Sequence, residues 1–228
     1  RREPHSPQAA ASSNASAASL LRREPRSPRA AASSSASAAS LLGREPRWIR
    51  ETFQGGLVTC RGAPAEVPAS CRVVLLYFTG RWCPLCEELD HAVQAIYSGI
   101  QVLPEGKRLQ LVLVPLDTCK SAHAAHLERF GGKIAGAEPL GVRWAPELCD
   151  EVARARGVFG LPALLALDAE TGETLSGSGR EAVADAHVQL GAIQGETADV
   201  RTRLFQSVLD SWLALTVRKD GHGRHRLA

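Results

Sequence analysis

Two cysteines three positions apart, Cys83 and Cys86 in "GRWCPLCEEL" (residues 80–89), are the residues of this chain best suited to chemistry. A thiol pair at this spacing can close into a disulfide, supply half of a zinc site, or lie buried as two small apolar groups. The flanking sequence separates these readings. "RVVLLYFT" (residues 72–79) is a near-continuous β-branched and aromatic run, the pattern of a strand covered on both faces. Pro84 then stands where a helix would make its first turn, and Leu85, Leu89, Val93, Ile96 and Tyr97 recur at helical spacing after it. Strand, turn and helix therefore place Cys83 at a helix start, where free N–H groups and the positive end of the helix dipole favour its thiolate. Arg81 adds positive charge, while Glu87 and Glu88 oppose it. Cys86, one turn further on, has no such help. The pair is thus unequal: Cys83 is the expected nucleophile on a substrate disulfide, and Cys86 the thiol that resolves the mixed disulfide. Trp82 is expected to shield the site and Pro84 to stiffen its turn, both next to bound substrate.

A zinc site would need a second pair of ligands. Cys119, His123 and His126 offer Cys-x3-His-x2-His on a predicted helix, where two of the three can share a face. Set between alanines, these histidines read as solvated helix surface, and no metal is expected. Cys60, Cys71 and Cys149 stand alone and read as buried small apolar groups. Six cysteines scattered over 228 residues do not make a disulfide-stapled scaffold, which points to a reducing compartment.

The remaining elements supply the frame. "LVTC" (residues 57–60) predicts a short strand ended by Gly62 and Pro64, "LQLVLVPLD" (residues 109–117) a second buried strand, and residues 121–130 a helix closed by Gly131 and Gly132. Residues 136–147 read as a loop and residues 147–157 as a helix stopped at Gly157. Residues 162–168 and 173–177 read as a hairpin turning through Gly172, and helices over 180–190 and 200–216 follow. This order fits an α/β domain with a mixed central sheet and helices on both faces.

The first fifty residues are of another kind. "RREPHSPQAAASSNASAASLL" (residues 1–21) is repeated as "RREPRSPRAAASSSASAASLL" (residues 22–42), and "GREPR" opens a third copy. Each copy offers only a Leu-Leu pair as apolar surface, too little to offset chain entropy. Residues 1–50 are therefore expected to form a disordered arm, with residues 218–228 a basic disordered tail. The arm carries nine arginines against three glutamates, and the rest of the chain 18 basic against 21 acidic side chains. Trp48 is the one aromatic among those nine arginines, so no nucleic-acid partner is expected. The longest apolar run, "VVLLYF" (residues 73–78), falls far short of the ~20 residues of a membrane helix. The expectation is a soluble monomer of the cytoplasm, with the nucleus as a second compartment. The Arg- and Ser-rich arm is similar in composition to an organelle transit peptide and leaves organelle targeting open.

"VVLLYFTGRWCPLCEEL" and, further along, "GVFGLPALLALDAETGETL" resemble the thioredoxin superfamily, and within it the nucleoredoxin and tryparedoxin branch, whose members typically carry Trp-Cys-Pro-Pro-Cys. "LVTCRGA" (residues 57–63) resembles the start of nucleoredoxin-like proteins, and the whole match covers residues 56–190. The resemblance implies a thioredoxin-like three-layer fold over residues 56–217 and protein-disulfide reductase activity. It also implies disulfide-containing protein substrates, an upstream thiol reductant and no cofactor. Pro162 in "GLPAL" matches the family's cis-proline facing the cysteines, and Leu161 would offer its backbone to an extended substrate. Two positions depart from the pattern. Leu85 replaces the second proline, and Tyr77 stands where thioredoxin has a buried aspartate, which leaves the proton acceptor for Cys86 unassigned. Several nucleoredoxin-like proteins are regarded as signalling or survival factors for sensory neurons, so a redox-sensing binding module with little turnover is the alternative.

Overall fold

A strand that is apolar on both faces needs cover from both sides. The computed structural model, which describes residues 45–54 and 56–223, provides it with a seven-stranded sheet between two layers of helices. The strands are β1 (Leu57–Thr59), β2 (Pro64–Ala65), β3 (Val73–Thr79), β4 (Leu109–Pro115), β5 (Leu140–Val142), β6 (Ala163–Asp168) and β7 (Thr174–Ser176), in the order β2-β1-β5-β4-β3-β6-β7. β3, β4 and β5 run parallel, and β1, β2, β6 and β7 join through antiparallel pairings. The helices are α1 (Arg47–Thr52), α2 (Pro84–Gln101), α3 (Lys120–Gly131), α4 (Pro146–Ala155), α5 (Gly179–Ala192) and α6 (Ala198–Gly223).

All seven residues of β3 are buried, and the first six alternate between two cores. Val73, Leu75 and Tyr77 pack with Leu89, Val93 and Ile96 of α2, Phe130 of α3, Val183 of α5 and Trp212 of α6. Val74, Leu76 and Phe78 pack with Trp48 and Ile49 of α1 and Cys149 and Val152 of α4. Each fully buried Val, Leu, Ile or Phe contributes about 1.5–3 kcal/mol, which is what holds β3, and the loop that follows it, in place.

The folded region begins earlier than expected. α1 begins within the arm assigned to residues 1–50, because the repeat there ends in a tryptophan and an isoleucine that the earlier copies lack. The Trp48 indole N–H donates to the Ala169 carbonyl at 2.9 Å, and Arg156 lies 5.6 Å from its ring centroid. Gly172, at φ 72°, leaves room for that ring, which a Cβ there would strike. Residues 218–223, expected in the tail, continue the backbone of α6. The rest of the expected arm and tail, residues 1–44 and 224–228, lies outside the described residues.

The segment read as a loop, 136–147, contains β5, which fills the place between β1 and β4. Three residues centred on a glycine give too short a pattern to read, and Gly141 is required because a Cβ would run into Leu127 of α3 above it. β6 starts at Ala163, one residue after the expected Pro162, which has no N–H to give to the ladder. Among the described residues, no helix is long and apolar enough to cross a membrane.

The close approach of α6 to α2 depends on Gly99, where a Cβ would penetrate the Phe205 ring. Gly99→Ala gains helix propensity yet is expected to destabilise the fold by about 1–2 kcal/mol net, read as a lower urea midpoint. Phe205→Leu in the same chain is expected to recover part of that loss.

Candidate active site

β3 ends at Thr79, and the chain turns through residues 80–82 directly into α2. Cys83 is the N-cap of that helix, with extended backbone (φ −101°, ψ 109°), and Pro84 follows at the first helical turn. The Cys83 sulfur accepts the Cys86 N–H at 3.3 Å, a donor it shares with its own carbonyl, which lies 3.1 Å from the same nitrogen. Both thiols are free, with Cys83 7% and Cys86 1% exposed. Burial, and then the hydrogen bond with Cys83, push the Cys86 thiol up to about 12, against the pull of the Gly80 backbone and the Thr79 hydroxyl.

Trp82 stays 63% exposed, with its indole N–H donating to the Leu116 carbonyl at 3.0 Å. It folds back over Gly80, where a Cβ would come 2.9 Å from the indole nitrogen. The Leu161–Pro162 peptide bond is cis. Phe78 pairs with Ala163 in antiparallel register, which sets Pro162 beside the end of β3 where the loop to Cys83 departs. Trp82 and Leu161 share one open groove of about 570 Å³ with Leu116, Arg154, Val158 and Phe159, the last 91% exposed. The structure thus gathers Trp82, Cys83, Pro84, Cys86, Leu161 and Pro162 at one end of the sheet. Leu85 does not belong to the apolar stripe in which its spacing placed it: it is 61% exposed, while Cys86 beside it turns inward.

Behind the cysteines lies a polar network that sequence reasoning missed. Asp90 is 5% exposed and accepts from the Tyr77 hydroxyl at 2.8 Å and the Thr79 hydroxyl at 3.3 Å. Its other oxygen lies 3.4 Å from an Arg129 guanidinium nitrogen. The Tyr77 oxygen also lies 3.4 Å from the Cys86 carbonyl, and burial, then the Asp90 charge, hold the phenol far above its ordinary value. Asp117, just past β4, accepts the Arg81 backbone N–H at 2.9 Å and meets His126 Nδ1 at 2.9 Å. Burial opposes the Asp117 charge, but the bonds from His126 and Arg81 outweigh it and hold the carboxyl below its ordinary value. Burial likewise opposes charge on His126, and the Asp117 and Asp90 carboxylates more than reverse it, raising the imidazole. His126 Nε2 is 3.7 Å from Asp90, too far for a hydrogen bond but near enough for charge to act.

The two histidines are accordingly not solvated helix surface. His126 is fully buried and His123 is 3% exposed, its Nε2 meeting the Val142 carbonyl at 2.9 Å and its ring edge-on to Trp144 at 5.3 Å. Burial lowers His123, so it donates from Nε2 as a neutral ring. Cys119 is exposed and lies 3.4 Å from the Ser121 hydroxyl. The three side chains weighed as zinc ligands are thus engaged separately, and among the described residues no three His, Cys, Asp or Glu groups are placed to share a metal ion. Cys60, Cys71 and Cys149 are buried as expected, and burial pushes each thiol up to about 12.

Layers, strand order and the placement of a free dithiol at the start of α2 define a thioredoxin-like α/β fold. Solved structures share it at low identity. Tryparedoxin I from Crithidia fasciculata is similar with a TM-score of 0.51 at 20% identity, the match covering 60% of this chain and 90% of that one. Tryparedoxin II from the same organism gives 0.51 at 16% identity, covering 64% and 90%. Tryparedoxin II complexed with glutathionylspermidine gives 0.50 at 16%, covering 66% and 97%. No family model and no curated protein matches the chain.

Proposed function

We propose that this chain is a thiol-disulfide oxidoreductase that reduces protein disulfides, with Cys83 as the attacking thiol and Cys86 as the resolving one. The observation that carries the reading is the inequality of the pair: a sulfur at the N-cap of α2 and a second sulfur buried beneath it. In the first step the Cys83 thiolate attacks one sulfur of the substrate disulfide, and the other substrate sulfur leaves with the bonding electrons. Cys86, once deprotonated, then attacks Cys83. The second substrate thiolate departs, and Cys83 and Cys86 are left oxidised until an upstream thiol reductant restores them. In this reading Trp82, Pro84, Leu161 and Pro162 meet an extended substrate segment; Trp82 and Leu161 line the groove, and the exposed Phe159 extends it. The "LVTCRGA" segment supports a narrower reading, a cytoplasmic protein similar to nucleoredoxin-like protein 2.

The test is insulin reduction under a thiol reductant, run beside Cys86→Ser. Wild type is expected to turn over, and Cys86→Ser to accumulate a mixed disulfide with the substrate that survives denaturation without reductant. Turnover at the uncatalysed rate, with no adduct in Cys86→Ser, would overturn the reading. Substrate capture that persists with both cysteines replaced would instead favour a docking module built on the exposed Trp82 and Phe159.

A further inference from the structure

One face of α3 lines a cavity that the redox chemistry does not use. Lys120, His123, Leu127 and Glu128 stand on that face at helical spacing. The turn between β1 and β2 adds Arg61, and the chain just past β5 adds Arg143 and Trp144. The cavity holds about 510 Å³, which lies within the roughly 300–1,000 Å³ of small-molecule sites. It shares no lining residue with the groove at Trp82 and Leu161.

The lining is of two kinds. Val58, Cys60 and Leu127 are buried, and the half-buried Trp144 adds an aromatic ring that meets His123 edge-on at 5.3 Å. Arg61, Lys120 and Arg143 are exposed around this apolar surface, and among the described residues none of the three is in an ion pair. Glu128 is the one acidic side chain of the lining, so three cations less one carboxylate leave an excess of two positive charges. That excess is local, since the chain beyond residue 50 carries 18 basic against 21 acidic side chains. The lining also holds an unpaired acceptor. His123 is 3% exposed, and with Nε2 on the Val142 carbonyl its Nδ1 has no hydrogen-bond partner among the described residues. A buried polar atom in that state calls for a partner from outside the chain.

We propose that this cavity binds a small organic anion, with an apolar body resting on Leu127 and Trp144 and an anionic group held among Arg61, Lys120 and Arg143. Both halves of the ligand are needed. An inorganic anion would leave the Leu127 and Trp144 surface in water, and a neutral apolar molecule would leave the cations unmatched. The arm of this chain has the wrong sign to be the occupant, because residues 1–50 carry nine arginines against three glutamates. Binding here does not depend on whether the thiols turn over, since Cys83 and Cys86 are not among the lining residues.

Titration of the full chain with anilinonaphthalene sulfonate, followed by amide chemical shifts, tests the site. One saturable event is expected, with the shifts gathered at residues 58–62, 120–128 and 142–144. N-phenylnaphthylamine has the same body without the sulfonate and is expected to bind at least about tenfold more weakly. Arg61→Glu combined with Arg143→Glu is expected to weaken the sulfonate by at least about tenfold as well. The urea midpoint should hold in that variant, because both side chains are exposed and outside any ion pair. Added salt is expected to narrow the gap between wild type and the variant, as screening of exposed charges requires. Equal affinity for the two probes would overturn the proposal, and that comparison needs no variant to fold. Unchanged affinity in the charge-reversed chain would overturn it too, as would shifts confined to the groove at Trp82 and Leu161. Shifts at the cavity residues that appear on concentrating the protein without probe would assign the face to a second copy and overturn the small-molecule site.

Discussion

Cys83→Ser is expected to reduce disulfide turnover to the uncatalysed rate while leaving the fold at least as stable as before. The two halves of this prediction have separate causes. Chemistry is lost because a serine hydroxyl cannot exchange with a disulfide: no mixed disulfide forms, and Cys86 has nothing to resolve. Stability is kept because Cys83 is the N-cap of α2, where its sulfur accepts the Cys86 N–H at 3.3 Å. Serine is among the preferred N-cap residues and a stronger acceptor than sulfur, so the change is worth from zero to about 1 kcal/mol in favour of the folded state. Insulin turnover and urea unfolding on the same preparation check both halves. Residual turnover above a few per cent of wild type would move the attacking role elsewhere, while a loss of about 1 kcal/mol or more would mean that the cap geometry is not as described. The result differs in kind from Cys86→Ser, which leaves the first step intact and traps its product.

The part of this architecture that shows in the sequence is the part written in contiguous pattern. β3 is an apolar run up to Thr79 and β4 one interrupted only by Gln110, and α2 announces itself by Pro84 and the spacing of Leu89, Val93 and Ile96. Cys83 could be placed at a helix start for that reason. Pro162 was legible only through resemblance, because nothing in local propensity favours a cis bond there. What was hidden depends on contacts between distant segments. β5 is three residues long and exists only because β1 and β4 leave a gap for it. His123 and His126 lie between alanines, which look solvated on a helix considered alone, but α3 packs against the sheet and buries them. A signal was present at Asp90, a carboxylate one turn after Cys86 between the apolar Leu89 and Val93, and such a group must find buried partners. The Tyr77 departure already marked the missing acid of the strand. Its hydroxyl is now seen bound to the acid of the helix.

Asp117→Asn is expected to cost about 3 kcal/mol near pH 5, and less on either side. Asp117 and His126 are 1% and 0% exposed, so solvent does little to screen their interaction. Removing the carboxylate leaves an imidazolium buried with only Asp90 nearby, and loosens the Arg81 N–H that ties down the loop carrying Cys83. The pH dependence follows from the two shifts, which have opposite sign. Asp117 is held below its ordinary 3.8, so its contribution is complete above that value and lost as pH falls through the lowered one. His126 is held above its ordinary 6.5, so its contribution is complete below that value and lost as pH rises through the raised one. Both are complete only between about pH 4 and pH 6, and there the stability gap between wild type and Asp117→Asn should be widest. Urea unfolding from pH 3 to pH 8 measures it. A gap of constant size across that range would mean that His126 carries no charge in the folded state and that Asp117 acts only as a neutral anchor for the loop. Adding His126→Gln to Asp117→Asn should then cost little more than Asp117→Asn alone, since most of its contribution is shared with the partner already removed.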